Sequence, residues 1–403
     1  MDITSKSGGN FSSIYPQINE VILKHGEDEP SRYGDTKEIL GFKTVTENPI
    51  ARCVGGQKRD VNIFFLLAEA VWIFAGRKDV EFLTIFNSRM GEFSDDGKVF
   101  HAPYGFRLRH WDTPSNATVS VRTEQNKHAF KEDDQIRRGL ELLGKDSETR
   151  RCVLSIWNAD FDLFSTTPTK DIPCNDLLMF KIRKEKLHLS VLNRSNDLHW
   201  GLPTNMFQFS FILEVMARML KVEVGAERHF SDSLHIYTNN DNNKIHEKMT
   251  QEWNAMNQTT LYDLVEPSKM DIEGFSLEMV DKMFNRILTR LSFDAEISTV
   301  RDSGDYELGS QYFDMVYAIL RVYVEYTKTE RKDEHRLSAI CQLCHIQGMV
   351  FPTLGHDYIM LALNWFHSRL KTEDAVQASR SEIEVLKLVP ELSNIDYSYV
   401  GRL

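Results

Sequence analysis

The chain has 403 residues, 41% apolar and 27% charged, which excludes a wholly disordered polymer and exceeds one ordinary domain. Lys and Arg number 48 against 59 Asp and Glu, a formal charge of −11 that argues against coating nucleic acid but leaves room for a local basic pocket holding one nucleotide. Five scattered cysteines make no disulfide framework, Met1 to Gly9 lacks the apolar core of a signal peptide, and no run approaches the roughly 18 apolar residues of a membrane span, so the expectation is a soluble protein of a reducing cytoplasm.

The first dozen residues are Ser/Gly-rich and read as loose. From Asp60 to Phe74 apolar residues crowd nearly every face and Gly76 follows, which predicts a buried helix with Glu69 as its one charged intruder. Residues 112–134 are polar and aperiodic and read as a long surface loop. Cys152 to Trp157 is a short apolar strand, and Leu177–Ile182 and Leu187–Leu192 flank a charged turn as a hairpin. Met206 to Leu220 reads as a helix and His229 to Tyr237 as a last strand. Beyond about residue 255 the pattern turns helical, at 277–292, 309–328, 334–350 and 356–371. The reading is an α/β core over 1–255 and a helical C-terminal region over 256–403 whose role the sequence does not state.

Cys174 follows Pro173 at the entry to a strand, which holds a thiol on a stiff backbone. Alone, it is more often a buried structural cysteine than a nucleophile. Arg194 and Ser195 stand side by side and can hold a phosphate by charge and hydroxyl donation. Arg150 and Arg151 precede the strand that ends in Trp157-Asn158, and His235 and Tyr237 put two ring donors on one strand face.

Taken in order, these pieces resemble the thymidylate synthase superfamily over about residues 30–245. The likeness is carried by Glu69-Ala70-Val71-Trp72, Pro103-Tyr104-Gly105, Arg150-Arg151 with Trp157-Asn158, Pro173-Cys174, Arg194-Ser195 with Asp197, Gly201-Leu202-Pro203 with Asn205, and His235-Ile236-Tyr237. Ser31-Arg32-Tyr33-Gly34-Asp35 matches an N-terminal phosphate arginine less specifically. The resemblance implies a thymidylate synthase-like mixed sheet with helices. It also implies a homodimer in which Arg150 and Arg151 reach the partner's site. By the same resemblance Cys174 would add to C6 of a pyrimidine nucleotide, and Arg194, Ser195 and Arg32 would grip its phosphate. Asn205 would read the uracil edge, and His235 and Tyr237 the sugar hydroxyl. Asp197, with Trp72, would hold methylenetetrahydrofolate as co-substrate. Glu69 and Tyr104 would manage protons and ordered water, because burial tunes a carboxyl for proton transfer.

Three departures from the synthase pattern favour water over hydride as the final reactant: Asp171, three before the cysteine, is apolar in synthases; Asn175 replaces a histidine; and His199-Trp200 replaces a Phe-Leu pair. The terminal Tyr397 to Leu403 is also unlike the short apolar tail of synthases. Asp171 is therefore counted with the catalytic group. An amide at 205 suits uracil, where a carboxylate would suit cytosine. The resemblance thus implies a deoxyuridylate hydroxymethylase of the kind found in phages, working in an infected cell. Thymidylate synthase is the runner-up and a deoxycytidylate hydroxymethylase the third reading. No membrane, metal or direct nucleic-acid partner is expected. Cys341-Gln342-Leu343-Cys344-His345 matches a haem-attachment string but lies in an amphipathic helical run where all three can pack. Phe/Tyr-rich 312–326 reads as a core face.

Overall fold

The computed structural model describes residues 4–31, 34–55, 60–111, 134–164, 168–239, 245–251, 260–296, 307–397 and 400. Eight strands form one mixed sheet: β1 (Ser5–Gly8), β2 (Glu27–Ser31), β3 (Gly34–Thr46), β4 (Val153–Ser155), β5 (Asn175–Arg183), β6 (Lys186–Asn193), β7 (Asn196–Asp197) and β8 (Glu223–Tyr237). Their order is β1-β3-β8-β6-β5-β4, with β2 on β3 and β7 on β8. The predicted hairpin is present as β5 and β6, antiparallel with Arg183 opposite Lys186, and Lys184 and Glu185 take positive φ in the two-residue turn between them.

Among the described residues the sheet is accompanied by helices α1 (Phe11–His25), α2 (Ile63–Phe74), α3 (Val80–Phe86), α4 (Tyr104–Arg109), α5 (Gln135–Lys145), α6 (Ala159–Asp162) and α7 (Gly201–Met219). The Asn62 side chain caps α2 by accepting from the Phe65 amide at 3.0 Å, and Gly76 just past its end has φ +69°. Of the first dozen residues, those from Thr4 onward are not loose. Ser5–Gly8 pairs with Lys43–Thr46, and Asn10 caps α1, whose Phe11, Ile14, Tyr15, Ile18 and Ile22 are buried. Ladder bonds need only backbone, so a Ser/Gly composition does not prevent an edge strand. Of the predicted loop at 112–134, residues 112–133 lie outside the described residues, and Asp134 caps α5.

The C-terminal segments form helices Leu277–Glu296, Gln311–Thr327, Asp333–His345 and His356–His367; a fifth, Glu373–Val385, was not anticipated. They share one buried hydrophobic cluster with α2, α7 and the strands β4 to β6. Tyr312, Phe313 and Tyr323 lie in this cluster, as the core-face reading required. Cys344 is buried and Cys341 exposed, and no metal-ligating group of three or more forms among the described residues. Nor is any described helix long and apolar enough to cross a membrane.

Deep in this core, Arg52 donates to Glu214 of α7 at 2.5 Å and to the hydroxyls of Tyr312 and Tyr358 at 3.4 and 3.3 Å. Both charged side chains are fully buried. Arg52→Met alone should lower the unfolding free energy by about 3 kcal/mol, because it leaves the Glu214 oxygen that faced Arg52 buried without its charged partner. Arg52→Met with Glu214→Leu should recover most of that loss in the same urea titration.

Candidate active site

The cysteine is placed by the ends of the hairpin strands. Asn175 of β5 lies opposite Asn193 of β6, so Cys174 and Arg194 meet just beyond the ladder, where the Arg194 amide donates to the Cys174 carbonyl at 3.1 Å. The Arg194 guanidinium wraps the Pro173 turn: Nε donates to the Pro173 carbonyl at 2.9 Å, and Nη2 lies 3.3 Å from the Ile172 carbonyl and 3.8 Å from Cys174 Sγ. Burial pushes the thiol up; Arg194 opposes this, while Asp171, Asp176 and Asp197 add to it. Arg194 therefore acts in the anticipated direction but is outweighed, and the resting sulfur is a neutral thiol.

Tyr104 opens α4, and its neighbour Gly105 explains the Pro-Tyr-Gly run. A Cβ at 105 would fall 1.8 Å from the Ile73 carbonyl, so only glycine lets α4 lie against the end of α2. The Tyr104 hydroxyl is thereby brought to Cys174, Asp171 and Asn175; burial first, then Cys174 and Asp171, push its pKa up and keep the phenol protonated. Asp171 accepts from the Ala102 amide at 2.8 Å, which ties the cysteine loop to the start of α4, and burial raises its carboxyl. Glu69 of α2 accepts from Gln208 of α7 at 2.7 Å. Burial pushes Glu69 up to about 7 against that hydrogen bond.

Behind the cysteine runs a chain of amides. Asn175 Nδ2 donates to Asn205 Oδ1 at 3.2 Å, Asn205 Nδ2 to Asn196 Oδ1 at 3.2 Å, and Asn196 Nδ2 to Ser231 Oγ at 3.1 Å. Asn205 is half-buried near the start of α7, with its amide edge fixed by both neighbours. Asp197 accepts from the amides of His199, Trp200 and Gly201 at 3.2, 2.5 and 3.3 Å, and so holds the turn that leads into α7. His235 sits opposite Asp197 and packs edge-on against Tyr237, 5.5 Å between ring centres. Burial lowers the His235 imidazole while Asp197 and Glu38 raise it. Ser195 is half-buried beside Arg194.

Not every anticipated residue joins this group. Trp72 lies in the core, 3% exposed, with its indole N–H on the Asp79 carbonyl at 3.2 Å and its ring edge-on to Phe100. Arg150 and Arg151 are exposed ahead of β4, whose Val153 pairs with Met179. Arg150 shares a surface hollow with Ile182 and Arg183 at the far end of β5, about 25–30 Å along the strand from Cys174. Arg32 lies outside the described residues. Sequence reasoning passed over Gln208, Asn193, Asn196, Ser231, Glu227 and His229. Their signal was available: polar residues recurring at buried positions of apolar elements.

A sequence model of the thymidylate synthase family matches residues 13–283. The chain belongs to that family. Among curated relatives, the chain is 42% identical over 261 residues to the deoxyuridylate hydroxymethyltransferase of Bacillus phage SP01, covering 64% of this chain and 66% of that protein. It is 39% identical over 196 residues to the enzyme of the same name from Pseudomonas phage M6, covering 48% of this chain and 50% of that one. The thymidylate synthase of Buchnera aphidicola subsp. Schizaphis graminum is 26% identical over 236 residues, covering 56% of this chain and 79% of that protein. The matches thus span slightly less than two thirds of the first relative and half of the second. The mixed sheet with flanking helices agrees with family membership.

Within this family frame, Glu69 generates a pH prediction. Its folded carboxyl holds a proton up to about 7, where a free one releases it near 4.5. Between those values the folded state binds the extra proton, so stability should fall as pH rises through the window and level off above it. Urea midpoints measured across that range should lose this slope in Glu69→Gln.

Proposed function

We propose that this protein transfers a one-carbon unit from methylenetetrahydrofolate to C5 of deoxyuridylate and completes the transfer with water, giving 5-hydroxymethyl-deoxyuridylate. The observation that carries the reading is the fully buried Asn175 next to the nucleophile, bonded to the Asn205 amide. A polar floor there can hold water where an apolar one would exclude it. The two phage hydroxymethyltransferases at 42% and 39% identity support the same product.

In this reading the Cys174 sulfur bonds C6 and loses its proton to a nearby base, which turns C5 into a carbon nucleophile. The folate supplies a carbon at the oxidation level of formaldehyde. C5 bonds that carbon and its own proton leaves, with Glu69 near neutrality and Tyr104 as proton carriers. Once tetrahydrofolate departs, C5 carries an exocyclic methylene. Water oxygen bonds the methylene, a water proton departs, and the electron pair passes through the C4 carbonyl and returns to expel sulfur from C6. Nothing is oxidised or reduced; a methyl product would instead require hydride from the folate.

Arg194 and Ser195, with Arg32, would take the phosphate; Asn205 the base; His235 and Tyr237 the sugar; Asp197 the folate. Arg150 and Arg151 lie too far along the sheet to serve their own Cys174, which supports a homodimer in which they reach the partner's phosphate. The sheet face away from the helices favours the same assembly: Val153 is 45% and Phe230 39% exposed there, with Met179 and Leu192 half-buried between them. The compartment would be the cytoplasm of an infected cell.

Incubation with deoxyuridylate and methylenetetrahydrofolate, followed by mass analysis, should yield hydroxymethyl-deoxyuridylate and tetrahydrofolate, and Cys174→Ala should lose at least about a hundredfold in turnover while still binding nucleotide. Thymidylate with dihydrofolate would overturn the reading. Mixing inactive Arg151→Glu and Cys174→Ala chains should restore activity, because one hybrid site receives both intact groups. No recovery despite demonstrated subunit exchange would mean that these arginines serve their own chain.

A further inference from the structure

Two titratable side chains lie fully buried on β8 with no role in the chemistry above. His229 Nε2 stands 2.8 Å from Glu227 Oε1, and both residues are 0% exposed. Elsewhere on the buried side of β8 stand Leu234 and Ile236, so a carboxyl–imidazole pair is foreign to its surroundings. Apolar residues of similar volume would hold such a place at least as stably.

The pair leads toward the nucleophile. His229 Nδ1 is 3.5 Å from Asn193 Nδ2, and Asn193 lies directly across the ladder from Asn175, the residue after Cys174. Side chains opposite one another on a ladder stand about 5 Å apart. The His229 ring is also 6.0 Å from Phe209, which stacks at 6.3 Å on Tyr104. Two buried acceptors of this cluster, Asn193 Oδ1 and Glu227 Oε2, have no hydrogen-bond partner among the described residues. Burial raises Glu227 against the pull of Arg52, and lowers His229 to about 3, so the imidazole rests neutral. The ring then donates Nε2–H to Glu227 Oε1, leaving Nδ1 as an acceptor facing the Asn193 amide. Asn193 Nδ2 donates toward that nitrogen and toward the Phe230 carbonyl, each at 3.5 Å, which turns the unpartnered Oδ1 the other way.

We propose that Glu227 and His229 are positioning residues: through Asn193 they orient an amide that, with Asn175, seats the water that adds to the methylene at C5. This deepens the hydroxymethylase reading and rests on it. Glu227 and His229 touch no substrate in this proposal; by holding Nδ2 they set the direction in which the Asn193 oxygen accepts.

The test is a single turnover with deoxyuridylate tritiated at C5, together with methylenetetrahydrofolate. Tritium release reports one-carbon attachment and proton loss, and the hydroxymethyl product reports water addition. In the paired variant Glu227→Leu/His229→Phe, tritium release should stay within about threefold of wild type, while hydroxymethyl product per tritium released falls about tenfold, the size of one lost buried hydrogen bond. A thiol added to the solution should then capture the waiting methylene as a thioether. Glu227→Gln, whose amide can still bond Nε2, should recover most of the ratio. Asn193→Leu, which leaves the Glu227–His229 pair whole, should lose the ratio as the paired variant does and serves as the readout if that variant does not fold. An unchanged ratio in these variants, or tritium release and product falling in equal proportion, would overturn the proposal. Wild-type protein that releases no tritium would instead overturn the hydroxymethylase reading beneath it.

Discussion

A buried guanidinium must find its partners inside the protein, and Arg52 finds them on three separate stretches of chain. Glu214 belongs to α7, while Tyr312 and Tyr358 belong to two C-terminal helices, and their hydroxyls bond each other at 2.9 Å. Glu214 also accepts from the Met270 amide at 2.9 Å and from Arg218 at 3.2 Å, so its carboxylate is shared by the segment leading into those helices. A charge in a low-dielectric core is tolerated only with such geometry, which makes the position of α7 hard to vary. Asn205 and Gln208 ride on that helix, so the same constraint holds the amide beside Asn175 and the partner of Glu69.

The site is built where strands end. Beyond Asn175 and Asn193 the ladder stops, and the freed backbone of Pro173 and Ile172 is taken up by the Arg194 guanidinium. Side chains on the buried face near that end are polar: Asn175, Asn193, Ser231 and His229 occupy places where the rest of the sheet carries Leu, Val and Phe. Under the proposed function, a nucleotide against this floor would meet hydrogen-bonding groups on the side where a hydride-transferring site benefits from dryness. The burial that raises the Cys174 thiol, Asp171 and Glu69 is one physical cause acting on three groups.

Local signals made part of this legible. The β5–β6 hairpin announces itself by alternation around a charged turn, and α2 by an apolar run ending at Gly76. Four of the five C-terminal helices show their period. Helix Glu373–Val385 was missed because only Ala375, Ser379 and Ile383 are buried in it, a stripe too thin to stand out among charges. Strand β3 was missed as well; its buried and exposed positions do not alternate cleanly around Gly41, whose φ is +69°.

By itself the sequence determined the family, through short motifs whose order survives without any knowledge of distance, and with it the mixed sheet and the neighbours of Cys174 in the chain. Tertiary structure alone decided what surrounds each of them. That Asn175 bonds Asn205, that Trp72 packs inward, that Arg150 stands at the opposite end of β5 from Cys174, and that Glu227 pairs with His229 are facts of register and burial. Motifs and periodicity are properties of neighbouring residues, whereas a pKa, an amide's orientation or a buried ion pair depends on groups that only folding brings together.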